Sequence, residues 1–363
     1  FTDLSDTGDY RGLEVNGTGL FDDDELADFD GPLPFTTRWV LNQVDPSLLL
    51  IGTSYLYEED PDFLIGGDPG DDVTLQNGNP VWAGFFKWKP DPNAKVGPVT
   101  ALAYGGRERD GADALVDKPR IAYAGVRGTT GVGAAAKQVG QLLLRLDEGQ
   151  NFLEIPSWTT GAPKGAYIKD LVLHPHNWRK LYVVDSANRV WMGQKKAGGT
   201  GDFDYEWFNI SGNIGQVAGV RSGKGDDDSS TIEVVVDPGP TAASNDDTDI
   251  LLVGGKGGVF RSVAPAVNGH WSEFGRSLPN ILVTDLHYDP TDDLLLAGTL
   301  GRGAFTLSDA LAMLKVSSVI TITGTAADDA LRLVVNPAQP WMLDLYAFDA
   351  GGIEPATPIK SFD

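Results

Sequence analysis

Apolar and polar residues alternate along five segments of the chain, and most of these segments end in a turn that contains proline. Residues 168–175, 232–238 and 282–290 are the clearest copies, and residues 39–46 and 99–104 are looser ones. Alternation with a period of two is typical of β-strands. The copies lie roughly 50 to 70 residues apart, which is the spacing of propeller blades, and no single copy can bury both faces of its sheet. The pattern therefore predicts an all-β propeller whose blades stack face to face.

The same alternation identifies the side chains that the stacked blades should bury. Apolar residues at every second position of a strand point to one face of its sheet. We therefore expect the blade cores to include Leu171, Leu173, Tyr182, Val184, Val234, Val236, Leu252, Leu286, Leu295, Ala297 and Phe305.

A second repeated phrase predicts the outermost strand of a blade. Residues 152–157, 207–212 and 271–275 each begin with an aromatic residue and end in an apolar residue followed by small ones. Residues 1–6 resemble this phrase but have no blade before them, so we expect them to close the ring by joining the blade that ends near Thr306. Residues 11–35 contain weaker echoes of a further blade. The prediction is thus a ring of five to seven four-stranded blades.

The pattern divides the chain into two parts. Residues 1–310 are assigned to the propeller and residues 311–363 to a small C-terminal segment. A short helical turn is predicted at 308–313, where the chain leaves the ring. Beyond it, apolar runs at residues 319–322, 331–335 and 343–348 predict a β-hairpin and a third strand.

One turn carries a resemblance to a known family. Asp147-Glu148-Gly149-Gln150-Asn151-Phe152 resembles the Asp-box of sialidase-like and sortilin-like propellers, in which Asp and Gly build the turn before the outermost strand. The Asp side chain can bond the turn amides, and Gly tolerates a positive φ. Other copies replace this turn, so the resemblance, which spans about residues 36–310, is to a degenerate member.

Charge and composition limit the classes of partner. The net charge is −23, and the 28 Lys and Arg residues are scattered along the chain. Nucleic acids and anionic membranes require clustered basic residues, so neither is an expected partner. Cysteine is absent, so disulfides cannot stabilise the fold. No apolar run reaches membrane-spanning length.

Acidic residues cluster in segments rich in Gly, Pro, Ser and Asn. Such loops are either solvated or hold calcium, which prefers six to eight oxygen ligands. A further cluster, Asp246, Asp247 and Asp249, belongs to the same class. The residues chosen as candidate calcium ligands are Asp22, Asp23, Asp24, Asp28, Asp68, Asp71, Asp72, Asp226, Asp227, Asp228, Asp328 and Asp329.

The C-terminal candidates rest partly on a second resemblance. Residues 320–331 are similar to the lead-in of the hemolysin-type (RTX) calcium-binding repeats of secreted bacterial proteins. The matching positions are Gly324, Thr325, Asp329 and Leu331, while Ala327 stands where Gly is usual. The resemblance implies an extracellular or cell-surface bacterial protein that forms part of a larger polypeptide. The other interpretation of these residues is an ordinary β-hairpin.

No catalytic phrase is evident. The chain lacks G-x-S-x-G and a P-loop, and it lacks the Arg-Ile-Pro phrase that opens sialidase domains. The pair His174 and His176 flanks Pro175, and the equivalent turns of the sister segments favour a blade turn over a metal site. Trp158 and Trp178, flanked by Thr, Gly, Pro and Asn, are expected to be exposed partner-binding platforms.

Two functions follow. The favoured one is a non-catalytic extracellular or cell-surface scaffold whose loops present a surface to other protein chains, further modules of the same polypeptide, or glycans. The alternative is a glycoside hydrolase-like enzyme with paired carboxylates at the central mouth of the ring. Propellers host both functions, so the fold alone does not choose between them.

Overall fold

A computed structural model gives the fold of the chain. The residues that the structure describes are 14–15, 18–19, 37–53, 56–59, 85–88, 98–130, 137–146, 152–199, 201–216, 230–238, 247–267, 269–275, 278–279, 281–315, 331–335, 343–348, 357–358 and 360–362.

Nearly all regular structure in the described residues is antiparallel β-sheet, and five successive groups of strands form blades I to V, of which II and III are joined into one eight-stranded sheet. The first strands, β1 (Glu14–Val15) and β2 (Thr18–Gly19), pair with each other ahead of these blades. The blade strands are β3 (Arg38–Leu41), β4 (Leu49–Gly52), β5 (Leu56–Glu59) and β6 (Phe85–Trp88) in blade I; β7 (Val99–Arg109), β8 (Leu115–Thr130), β9 (Lys137–Arg145) and β10 (Leu153–Glu154) in blade II; β11 (Ile168–His174), β12 (Asn177–Asp185), β13 (Val190–Lys195) and β14 (Tyr205–Asn209) in blade III; β15 (Thr231–Asp237), β16 (Thr248–Gly255), β17 (Gly258–Val263) and β18 (Ser272–Phe274) in blade IV; and β19 (Val283–Asp289), β20 (Leu294–Thr299) and β21 (Gly303–Ser308) in blade V.

The first strands of consecutive blades pack against one another. β3 contacts β7, β7 contacts β11, β11 contacts β15 and β15 contacts β19. Within each blade the strands are paired in chain order, each antiparallel to the next. Sheets whose first strands all lie at a common centre, with later strands successively farther out, have the architecture of a β-propeller. The predicted fold class is therefore confirmed.

The apolar cores lie between blades. Along β12, Leu181 and Val183 pack into the core shared with blade II. Their neighbours Tyr182 and Val184 pack into the core shared with blade IV. Blade III therefore buries both faces of its sheet, because successive side chains of a strand point to opposite sides. Of the predicted core residues in the list above, all are buried except Val236 and Phe305, which are partly exposed.

The predicted outer strands are found where the phrase placed them. β10, β14 and β18 are the last strands of blades II, III and IV. Blade II departs from the pattern, because Pro156 begins a helix, α1 (Pro156–Thr160), that ends the strand after two residues. Residues 1–6, proposed to close the ring, and the Asp-box turn at 147–151 lie outside the described residues. So does most of the echo at 11–35.

A second short helix follows blade V, as the sequence predicted. α2 (Ala310–Leu314) buries Ala310 and Leu314 in the core shared by blades IV and V. The backbone N–H groups of its first turn donate hydrogen bonds to Asp293 of the preceding hairpin. The Asp293 carboxylate accepts a hydrogen bond from the Leu311 N–H at 2.8 Å, and the Asp293 carbonyl accepts one from Ala310 at 3.1 Å. A cap from a distant residue replaces the local N-cap.

The C-terminal segment forms a sheet. Its strands are β22 (Leu331–Val335), β23 (Leu343–Ala347) and β24 (Lys360–Phe362). The strands predicted at residues 331–335 and 343–348 are thus present, and β23 pairs with both β22 and β24. Residues 319–322 lie outside the described part of the chain.

Candidate functional site

A polar cleft of about 340 Å³ lies where blades II, III and IV meet. It is formed by the end of the first strand of blade II, by the turn between the first two strands of blade III, and by the start of β16 in blade IV. The lining residues are Glu108, Arg109, His174, His176, Asn177, Arg179, Lys180, Asp247 and Asp249.

Blade II reaches the cleft because its first strand continues past a bulge. The register of β7 shifts between Tyr104 and Gly106, and Gly105 has a φ of +75°, which favours glycine. Beyond the bulge, β7 pairs with blade III through Glu108 and Asn177. A Cβ on Gly106 would lie only 2.6 Å from the Cβ of Trp178, so glycine permits this close approach of the two blades.

Trp178 joins Glu108 and Arg179 into one unit. The indole Nε1 of Trp178 donates to Glu108 at 3.1 Å, and Arg179 also donates to Glu108. The guanidinium of Arg179 lies over the Trp178 ring, 4.1 Å from its centroid, in a cation–π contact. Burial favours the neutral form of Glu108, but hydrogen bonds from Lys118 and Arg179 outweigh it and lower the pKa of Glu108.

Asp249, like Glu108, is bonded by three side chains. It accepts a hydrogen bond from His174 Nε2 at 2.9 Å and further bonds from Lys180 and the Tyr182 hydroxyl. Burial alone would raise the pKa of Asp249, but the bond and charge of His174 and the charge of Lys180 lower it well below its ordinary value. Burial and the charge of Asp249 raise the pKa of Tyr182. Asp249 is therefore an ionised, internally neutralised group.

Asp247 repeats this arrangement two residues away. Its Oδ2 lies 2.6 Å from His176 Nδ1 and 3.5 Å from Arg109 Nη2. The Oδ1 of Asp247 and the Nε of Arg109 are buried without a hydrogen-bond partner among the described residues. His174 faces Asp249 while His176 faces Asp247, which is the order expected when two segments run antiparallel.

Two carboxyl groups on innermost strands also join neighbouring blades. Asp170 of β11 accepts bonds from the Thr231 hydroxyl at 2.7 Å and from Ile232 N–H at 2.9 Å, both in blade IV. Glu233 of β15 accepts a bond from the Tyr288 N–H of blade V at 3.2 Å. Burial raises the pKa of Asp170. Burial, with the nearby charge of Asp170 contributing, raises the pKa of Glu233 to about 8.

The expectation that Trp158 and Trp178 are exposed platforms is wrong. Both rings are buried, at 0% and 3% exposure. Trp158 lies on the unpredicted helix α1, donates to the Ala166 carbonyl at 2.8 Å and packs edge-to-face on Trp207. Trp178 is enclosed by the extension of β7. Flanking Thr, Gly and Pro residues indicated loops, but Trp158 lies on α1 and Trp178 lies on β12.

The predicted calcium ligands are not described by the structure. This holds for Asp22, Asp23, Asp24, Asp28, Asp68, Asp71, Asp72, Asp226, Asp227, Asp228, Asp328 and Asp329. Within the described residues, no group of three or more His, Cys, Asp or Glu side chains is arranged to hold a metal ion. Calcium binding therefore stays a prediction.

The cleft contains residues that sequence reasoning placed differently. Asp247 and Asp249 were interpreted as part of an acidic loop, yet each side chain is only 8% exposed and pairs with histidine. The turn predicted at His174 and His176 is confirmed, since β11 ends at His174 and β12 begins at Asn177. One pattern in the sequence could have indicated the contact: His-x-His stands at the end of the first strand of one blade, and Asp-x-Asp stands at the start of a strand in the next.

No family model matches the chain, and no curated protein matches it by sequence. Among solved structures, it is similar to the Cps50 (Swd1) β-propeller domain of Myceliophteria thermophila, with 10% identity, a TM-score of 0.39, and coverage of 92% of this chain and 88% of that one. It is also similar to Sqt1 from Chaetomium thermophilum, with 13% identity, a TM-score of 0.34, and coverage of 75% and 62%.

A third similar structure is the extracellular domain of BT4673, a one-component system from B. thetaiotaomicron. Identity is 13%, the TM-score is 0.35, and the match covers 90% of this chain and 33% of that one. Identities and TM-scores this low indicate nothing about what this chain binds. In the part of the chain that the structure describes, no helix is both long enough and apolar enough to cross a membrane.

Proposed function

We propose that the chain is a non-catalytic interaction module, located outside the cell or at its surface, that holds protein or glycan partners at the end of the ring containing the cleft. The observation that carries this proposal is the hairpin formed by β7 and β8. These strands are 11 and 16 residues long, the longest in the described fold, so the hairpin extends beyond the blade it begins.

The hairpin combines an apolar surface with the wall of the cleft. Leu115 and Val116 on β8 are 42% and 36% exposed. They pair directly with Arg109 and Glu108 of β7, which line the cleft. Exposed apolar residues beside charged ones match the usual anatomy of a protein interface, an apolar patch with a polar rim.

The turn of the hairpin is held by its own side chains. The Asp110 carboxylate accepts bonds from the Ala112 N–H at 2.8 Å and from the Ala114 N–H at 3.0 Å. The backbone of Asp110 also donates to the Ala114 carbonyl. A fixed turn presents Leu115 at little cost in conformational entropy on binding, which favours recognition.

The location and the wider partners rest on sequence. The net charge of −23 opposes contact with nucleic acid. It supports partners whose surface around the bound group is neutral or basic. The resemblance of residues 320–331 to hemolysin-type repeats supports a secreted or surface-displayed bacterial protein. Other modules of the same polypeptide are partners under this proposal.

Photo-cross-linking tests the interaction surface. A photoreactive phenylalanine analogue would replace Leu115, and in a matched control Met313, which is 56% exposed beside blade V. In the producing cells, we expect covalent adducts to one or a few polypeptides or glycans from position 115 and none of these from position 313. Equal adduct patterns at both positions would contradict the proposal.

One observation favours the glycoside hydrolase alternative. Asp170 and Glu233 lie on adjacent innermost strands, the charge of Asp170 contributes to the raised pKa of Glu233, and a carboxyl with a raised pKa is what a general acid requires. Both carboxyls are bonded to the neighbouring blade, however, and Glu233 is only 9% exposed, so their first role is to join blades. Hydrolysis of a polysaccharide by the wild type, abolished in Glu233→Gln, would establish this alternative instead.

A further inference from the structure

The carboxylate oxygens of the cleft are either bonded within the protein already or buried away from solvent. Glu108 bonds Lys118 through one oxygen, and Trp178 and Arg179 through the other. Both oxygens of Asp249 are bonded within the protein. One oxygen of Asp247 contacts His176, and the other is buried away from solvent. The cleft therefore offers a ligand almost no acceptors.

Donors, in contrast, remain in excess. A guanidinium has five N–H groups and an ammonium three. Among the described residues, Arg179 makes one hydrogen bond through Nη1 and a 3.6 Å ion pair through Nε, which leaves Nη2 without a contact. Lys180 makes one bond, to Asp249, and Nδ2 of Asn177 makes none. The unused capacity of the cleft suits an acceptor-rich group.

The charge of the lining favours a bound group that carries a single negative charge. Arg109, Arg179 and Lys180 carry three positive charges that balance Glu108, Asp247 and Asp249. A doubly charged phosphate would leave this balanced lining strongly negative in a chain of net charge −23. A carboxylate adds one charge, and its two oxygens match the planar fork of arginine.

We propose that the cleft binds a carboxylate group, with Arg179, Lys180 and Asn177 as donors. Arg179 is the principal donor, because its stacking on Trp178 fixes the guanidinium before a ligand arrives. The carboxylate belongs either to an acidic side chain of a partner polypeptide or to a free acid such as a sugar acid. The first source rests on the proposed function, since Leu115 of the interaction hairpin pairs with Arg109 of the cleft.

Calorimetric titration tests the proposal with two pairs of probes. The first pair is an acetylated, amidated tetraglutamate peptide and its tetraglutamine twin, and the second is glucuronate and glucose. At about 0.15 M salt the Debye length is about 8 Å, so long-range repulsion from the net charge is largely screened. We expect at least one acidic probe to bind roughly tenfold more tightly than its neutral twin.

Variants locate the binding. Arg179→Gln should raise the Kd of the acidic probe roughly tenfold, whereas Arg107→Gln should change this Kd by less than about twofold. Arg107 is a matched control because it too forms an ion pair, with Asp117 at 2.8 Å, but does not line the cleft. If Arg179→Gln does not fold, the double variant Glu108→Gln/Arg179→Gln takes its place in the titration. The double variant removes both members of the ion pair, so no Glu108 carboxylate is left without its Arg179 partner.

The outcomes are distinct. Binding of tetraglutamate that depends on Arg179 supports both the carboxylate site and the polypeptide partner. Binding of glucuronate alone, with the same dependence, supports the site and assigns it to a free acid, while cross-linking at residue 115 still decides the proposed function separately. If neither acid binds better than its neutral twin, or if the Arg179→Gln variant binds as wild type, the carboxylate site is overturned.

Discussion

His174 and Asp249 meet across the boundary between blades III and IV, with 2.9 Å between His174 Nε2 and Asp249 Oδ1. His176 and Asp247 repeat the contact two residues away, at 2.6 Å. His174 ends β11 and His176 lies in the turn after it, while Asp247 directly precedes β16 of the next blade and Asp249 lies within it. Blades III and IV are thus joined by a polar clasp in addition to the apolar core they share.

Removing the centre of this clasp should destabilise the ring. Asp249→Ala leaves His174 and Lys180 without their carboxylate in a mostly buried setting, and breaking a buried pair typically costs about 3 to 5 kcal/mol. We expect a loss near the lower figure, because Lys180 is 25% exposed and can reach water. Urea unfolding would measure it. The control Asp292→Ala, an exposed residue of the blade V turn, should change the free energy of unfolding by less than about 0.5 kcal/mol.

Glu233 should make the fold less stable as the pH rises through neutrality. Burial raises the pKa of Glu233 from 4.5 to about 8 in the folded chain. Between these two values the folded state holds a proton that the unfolded state has released, so stability falls with increasing pH. Glu233→Gln keeps a neutral side chain of similar shape and should remove this part of the pH dependence.

Unfolding in urea at several pH values from 5 to 8.5 would test the prediction. The difference in free energy of unfolding between Glu233→Gln and wild type should grow toward pH 8, on the order of a few kcal/mol. The parallel variant Glu273→Gln, on the partly exposed outer strand β18, serves as the control. Parallel pH profiles for wild type and Glu233→Gln would show that burial does not perturb Glu233.

Sequence reasoning predicted the blades because inner sheets such as that of blade III are buried on both faces. Alternating residues such as Tyr182 and Leu181 must enter two different cores, and this requirement leaves a repeated pattern in the sequence. The helix α1 escaped prediction, since a single turn after Pro156 carries too few residues to show a period. The burial of Trp158, which lies on that helix, could not be predicted for the same reason.

The cleft was harder to predict than the blades. Its groups come from three blades, and whether Asp249 is solvated or buried depends on which residue lies opposite it in the next blade. A spacing of Asp-x-Asp is equally consistent with a solvated loop. Glu108 reaches the cleft only because β7 bulges at Gly105 and continues toward blade III, a local change of direction that no periodicity reveals.

Truncation within an inter-blade core should be costly. Leu252 on β16 is fully buried between blades IV and V. Leu252→Ala removes this contact and leaves a cavity, so we expect a loss of about 2 to 5 kcal/mol. Leu300→Ala, at a hairpin tip where Leu300 is 64% exposed, is the matched control and should cost well under 1 kcal/mol. Comparable losses for the two leucines would contradict the assigned core.

Calcium, if it binds, should stabilise the fold rather than act in catalysis. A cation that joins two carboxylate loops relieves their mutual repulsion and favours the folded state according to its free concentration and Kd. The segments concerned are Asp22–Asp30, Asp68–Asp72 and Asp226–Asp228, with Asp328 and Asp329 in the tail. Thermal melting in millimolar calcium should then give a midpoint several degrees higher than melting in chelator at matched ionic strength.

Substitution would locate the ion. Replacing Asp226, Asp227 and Asp228 together by Asn removes charge but keeps side-chain size, and the same change can be made in each other cluster separately. Only the cluster that binds should lose the calcium-dependent shift. The others should melt as wild type does, apart from a small effect of net charge that is equal with and without calcium. An unchanged midpoint for wild type in calcium would show that these loops are solvated, which is the ordinary state of acidic residues among Gly, Pro and Ser.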